Sequence, residues 1–179
     1  MENQTSAGPG ARTAELSIPL LARLAEAAGT YRGEGINHAD EKFVGEFTLT
    51  SNLDSLLIEI SFRAVEADGV GAFHEERTWI TEDLLKSGVG MWTVSTNTPG
   101  VLQLRLVEDS SDGSYSTRVV FRLGEPEDRS RFREEISLSL RHDKAIEYAY
   151  SWGVPHEKFA PKSRALLRRI QTPTPKLDT

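Results

Sequence analysis

From residue 29 onward, apolar and polar positions alternate with a period of two in one short segment after another. Phe43, Phe47 and Leu49 recur through 42–50, and Leu56, Ile58, Ile60 and Phe62 through 55–65. Leu102, Leu104 and Leu106 follow the same rhythm, as do Val119 and Phe121, then Ile136, Leu138 and Leu140, then Ile146, Tyr148, Tyr150 and Trp152. Such alternation marks strands with one buried and one wet face. A last segment, 163–170, closes the series. About ten short strands with turns between them predict an all-β, up-and-down antiparallel barrel, since closure is how such a ribbon removes its edges.

A single helix precedes the strands. Ser17 is a good N-cap, Pro19 suits a first turn, and Leu20, Leu21, Leu24 and Ala28 recur at helical spacing up to a Gly29 stop. A short helix with a narrow apolar stripe needs a partner surface. One open end of the barrel is the expected place. Asp68-Gly69, Pro99-Gly100 and Asp112-Gly113 fall where hairpin turns are needed. Residues 153–162 form a longer, proline-bearing connection, the better candidate for a functional loop. Small, polar residues at 1–13 and a proline-bearing tail at 171–179 predict disorder at both ends of a single domain, 14–170.

The chain has 179 residues, a net charge of −6 and no cysteine. The length suits one domain with a substantial core. The charge argues against nucleic acid as the main partner and against an anionic membrane surface. The absence of cysteine excludes disulfides and thiolate chemistry. The first residues lack the pattern of a signal peptide, and no apolar run reaches the length of a transmembrane helix. A cytoplasmic protein is expected. A homodimer is compatible with the sequence, and no residue pattern fixes it.

Candidate chemistry is sparse. The histidines are His38, His74, His142 and His156, and no two lie within four residues of each other, so no metal site is expected. There is no Gly-x-Ser-x-Gly elbow, and no catalytic residue is assigned. The interior is more informative. Apolar faces turned inward make it strongly aromatic, and some polar groups share the phase. Counting from Phe73 and Trp79 turns Glu75 and Arg77 inward, and counting from Phe132 and Ile136 turns Glu134 inward. A slip of one residue would replace Glu75 and Arg77 by His74 and Glu76. Small barrels often fill themselves with side chains, while a ten-stranded one encloses room for a ligand. The expected ligand-binding set is Tyr31, Glu75, Arg77, Trp79, Trp92, Tyr115, Glu134, Tyr148, Tyr150 and Trp152.

The run Gly29-Thr30-Tyr31-Arg32-Gly33-Glu34-Gly35, directly after the helix, resembles the Gly-x-Trp-x-Gly-x-Gly opening of nitrobindin-like proteins. These belong to the lipocalin and fatty-acid-binding-protein-like barrels. Residues 163–170 look like the last strand of that group, and the middle, from Phe73 through Trp92 to Gly100, looks more like a bacterial branch of lipocalin-like proteins. The resemblance implies a ten-stranded barrel with a ligand pocket. For nitrobindins it also implies haem b held by a histidine near the last strand. Tyr31 stands in place of the motif's tryptophan, and 163–170 holds no histidine, which leaves His156 as the nearest.

The leading expectation is non-enzymatic binding of a small hydrophobic or amphipathic molecule, with no cofactor. The alternatives are a haem protein, a barrel enzyme using an inward carboxylate, and a solid barrel that acts as an interaction module.

Overall fold

Ten strands close into one antiparallel barrel. In this computed structural model, residues 11–67 and 71–170 are described, with side chains from Pro19 onward. The tail 171–179, most of the N-terminal segment 1–13 and the Asp68-Gly69 turn lie outside the described residues. Helix α1 (Ala11–Glu26) leads into β1 (Gly29–Ile36), β2 (Lys42–Asn52), β3 (Leu57–Glu66), β4 (Ala72–Glu82) and β5 (Val89–Ser95). There follow β6 (Leu102–Ser110), β7 (Tyr115–Leu123), β8 (Arg133–Arg141), β9 (Ile146–Gly153) and β10 (Ala160–Arg169). Each strand pairs with its neighbour in sequence, and β1 pairs with β10 to close the ring. No described helix is long and apolar enough to cross a membrane.

The helix differs from its sequence reading at both ends. It begins at Ala11, ahead of Ser17, so Ser17 and Pro19 are interior. The Ala-, Leu- and Glu-bearing stretch before Ser17 favours helix and overrides the capping signal. It ends at Glu26, where Ala27 and Ala28 donate to the Leu24 and Ala25 carbonyls in a tightened last turn. Gly29 therefore opens β1.

Leu20, Leu21 and Leu24 are fully buried in the barrel core. Arg23 bonds Asp109 on β6 at 2.6 Å, and the Tyr31 hydroxyl donates to the Ala27 carbonyl at 2.6 Å. The helix thus plugs the end of the barrel where β1 starts and β2 finishes. Above that plug the core is an aromatic column. Phe47 meets Tyr31 at 6.1 Å and Tyr148 at 5.2 Å between ring centres, and Tyr148 meets Phe62 at 5.3 Å. The β1–β10 seam is tight. A Cβ on Gly33 would stand 1.9 Å from the Leu166 carbonyl oxygen, so only glycine lets these two strands approach.

Candidate functional site

Helix α1 covers one end of the barrel, and the other end is hollow. A cavity of about 290 Å³ opens where β1, β3, β5 and β9 finish and where β2, β4, β8 and β10 begin. Its wall is aromatic: Phe43, Phe62, Phe73, Phe132, Tyr150 and Trp152. Polar groups reach it from several elements, among them Asn37, His38, His74, Asn97, Glu134, Lys162 and Ser163.

Two wall residues owe their position to β-bulges. The β3–β4 register jumps from Ala64↔His74 to Val65↔Ala72, which leaves Phe73 unpaired. The β9–β10 register jumps from Pro161 to Ser163, which leaves Lys162 unpaired. A bulge re-aims a side chain at a barrel rim, and both extra residues line the cavity. Phe73 meets Phe43 edge-on at 5.8 Å, and the Lys162 ammonium sits 4.2 Å from the centre of the Trp152 ring.

The Phe73 bulge also resets the phase of β4. His74, Glu76, Thr78 and Ile80 face inward, and Glu75 and Arg77 face outward, against the count taken from Phe73 and Trp79. Thr78 and Ile80 are completely buried. Glu75 is exposed and pairs with Arg63 at 3.0 Å on the outer wall. Trp79 and Trp92 are register partners on that wall, half-buried. Tyr115 lies near the helix end, beneath the Arg141 guanidinium, because a third bulge, at Ser116, shifts it out of phase with Thr117 and Val119. Tyr31 closes the helix end. Of the ten expected residues, Glu134, Tyr150 and Trp152 line the cavity, and Tyr148 packs against Tyr150 at 5.2 Å without lining it.

Below the cavity floor is a carboxylate that the sequence reading reached only through the one-residue slip. Glu76 is buried, and three hydroxyls serve it. Thr78 and Tyr148 each donate to Oε1 at 2.6 Å, and Tyr150 donates to Oε2 at 2.7 Å. Thr93 lies 2.8 Å behind Thr78 and continues the chain. His74 Nε2 stands 3.7 Å from Glu76 Oε2, an electrostatic contact beyond hydrogen-bond reach. Burial is the largest single influence on Glu76 and pushes its pKa up. His74, Thr78, Tyr148 and Tyr150 together outweigh it and hold the group below its ordinary value. Both tyrosines are pushed well above theirs, by burial first and by the Glu76 charge second.

Glu134 is the opposite case. It is 8% exposed, and its Oε2 has no hydrogen-bond partner. Burial, then the neighbouring Glu76 charge, raises its pKa from 4.5 to about 7. His74 Nε2 is the second buried polar atom at this wall without a hydrogen-bond partner. Two carboxyls in one barrel are thus driven apart, one held ionised and one poised near neutrality. No signal in the sequence separates them, since the hydroxyls that serve Glu76 come from β9 as well as β4.

The connection after β9 is organised by Arg133. Its guanidinium is buried and donates to the carbonyls of Arg131, Val154 and Glu157. His156 in this connection is exposed and is not among the cavity-lining residues, and its backbone carbonyl accepts from Arg129. The histidine suggested for haem therefore does not fit that role. Among the described residues, no group of three or more metal-ligating side chains comes together.

No family model matches the chain, and no curated protein matches it. Among solved structures it is similar to the crystal structure of Rv2717c from M. tuberculosis. The TM-score is 0.63 at 14% identity, over 87% of this chain and 99% of that one. At that identity the likeness shows the fold alone.

Proposed function

We propose that the protein binds a compact, amphipathic small molecule in the mouth cavity without transforming it. One observation carries this reading: Glu134 Oε2 and His74 Nε2 are buried without hydrogen-bond partners on residues that line the cavity beside six aromatic rings. A buried polar atom left unmet costs about 1–3 kcal/mol. A ligand that meets these atoms recovers that cost, while its body gains from burial against the rings. The volume of about 290 Å³ lies at the small end of ligand pockets, so the occupant is of one or two rings.

A fragment screen followed by two-dimensional NMR tests the reading. Hits are expected to shift signals from His74, Phe132, Glu134 and Trp152 together. Hits that shift only outer-wall residues such as Trp79 and Trp92 would remove it.

One specific observation favours an enzyme as a second reading. Glu134 has a pKa of about 7 in an open cavity, which suits a general acid or base near neutral pH. Its partner would be a substrate that exchanges a proton at Oε2. A haem role is the third reading, and the place of His156 speaks against it. Titration with hemin tests the haem reading: no Soret shift removes it, and a shift that survives His156→Ala would require a different ligand residue. The opening Gly29–Gly35 motif and the ten-strand closure support placing the chain with the nitrobindin-like members of the lipocalin and fatty-acid-binding-like group.

A further inference from the structure

We infer that the occupant of the mouth cavity is an organic cation, a protonated amine whose ammonium meets Glu134 and whose body lies against the surrounding rings. This rests on the binding proposal above and narrows it to a ligand class.

The charge inside the barrel points this way. Two carboxylates, Glu76 and Glu134, are buried there. Glu76 already accepts from Thr78, Tyr148 and Tyr150 and is not among the residues that line the cavity, so to a ligand it offers a fixed negative field. Glu134 Oε2 has no such engagement, and Glu134 lines the cavity. The groups facing Glu134 are few. On the flanking strands its register partners are Leu123 and Trp152, both uncharged. Across the cavity stand His74 and, behind it, Glu76 on β4. Lys162 on β10, His38 on the β1–β2 turn and Tyr150 complete the set.

The rings supply the second half of the site. Phenyl and indole rings attract cations through their faces, more strongly where water is excluded. The rim already shows this: the Lys162 ammonium rests over Trp152 at 4.2 Å. That contact also occupies Lys162, the one lysine among the lining residues. An anionic ligand would have only Lys162 and the histidines to oppose the Glu76 and Glu134 carboxyls. A cation meets the unpartnered carboxyl directly. The proton that Glu134 retains near neutral pH is the expected counterpart, because a second charge beside Glu76 is costly until a cation arrives.

Isothermal titration with two matched sets of probes tests this on the full chain. The sets are benzylamine, benzyl alcohol and benzoate, and phenethylamine, 2-phenylethanol and phenylacetate. The amines should bind and the carboxylates should not. Both amines stay protonated from pH 6 to pH 8, while Glu134 passes from mostly protonated to mostly ionised. Amine affinity should therefore rise about tenfold across that window. At pH 7 wild-type protein should release about half a proton per amine bound, read from titrations in two buffers of different ionisation enthalpy. Glu134→Gln should abolish the pH dependence and the proton release, and Glu75→Gln on the outer wall should leave both intact. Alcohols or carboxylates that bind in the cavity as tightly as the amines would overturn the cation inference and leave the small-molecule reading standing. Amine binding with no proton release and no pH dependence would also overturn it. Failure of all six probes to bind would overturn both.

Discussion

The Tyr150 hydroxyl donates to Glu76 Oε2 at 2.7 Å, and this bond spans the barrel interior from β9 to β4. With Tyr148 and Thr78 it turns a buried carboxylate into a structural hub. Hydrogen bonds to charged groups contribute about 1.5–3 kcal/mol each. Tyr150→Phe and Tyr148→Phe should each lower the unfolding free energy by that order in urea titrations. Glu76→Gln should cost more than either, because its amide must face hydroxyl donors with a donor of its own. A Glu76→Gln protein as stable as wild type would remove the hub.

Glu134 gives the opposite sign. Its folded-state pKa of about 7 lies above the ordinary 4.5, so the folded protein holds a proton that the unfolded chain has lost between those values. Stability from this group is complete below pH 4.5 and falls as pH rises to about 7. The fall is on the order of 3 kcal/mol. Glu134→Gln cannot ionise. It should match wild type near pH 4 and exceed it in stability at pH 8. Unfolding midpoints for the two proteins across pH 4–8 check this, and parallel curves would contradict it. Glu76, with its lowered pKa, should contribute stability above its unfolded value that is lost as pH falls through the folded one.

The phase of β4 can be tested without a ligand. Arg77→Ala on the outer wall should change stability by no more than about 0.5 kcal/mol. Thr78→Val, one residue on, removes a buried hydroxyl that serves Glu76 and should cost about 1–3 kcal/mol. The reverse ranking would put the strand back in the other phase.

Arg133 should be irreplaceable by lysine. Its guanidinium reaches the carbonyls of Arg131, Val154 and Glu157 at once, which an ammonium on a shorter fork does not reproduce. Arg133→Lys should speed amide exchange in 154–159 while β2 and β3 stay protected. Unchanged exchange in that connection would show that the loop holds itself.

The barrel was legible in the sequence because period-two alternation survives in nearly every strand. The site was legible only in part. Glu134, Tyr150 and Trp152 sit on strands β8 and β9, whose pairing with each other runs without a bulge, so counting along them works. On β4 the count began at Phe73, the bulged residue, and every position after it inherited the wrong face. Tyr115 failed for the same reason at the Ser116 bulge. A bulge is set by cross-strand pairing, and one strand's sequence does not contain its partner's register. The clue available on β4 was Thr78 and Ile80, two β-branched residues in phase with each other. Against them stood two aromatic residues, Phe73 and Trp79, which carried more hydrophobic weight while facing a rim and an outer wall.

The most direct measurement is a crystal structure of the protein with its best-binding fragment. The fragment is expected in the mouth cavity, its body against Phe62, Phe132 and Trp152, with a polar atom within hydrogen-bond distance of Glu134 Oε2. A fragment bound elsewhere, with the cavity closed by side chains and Glu134 still unpartnered, would contradict it.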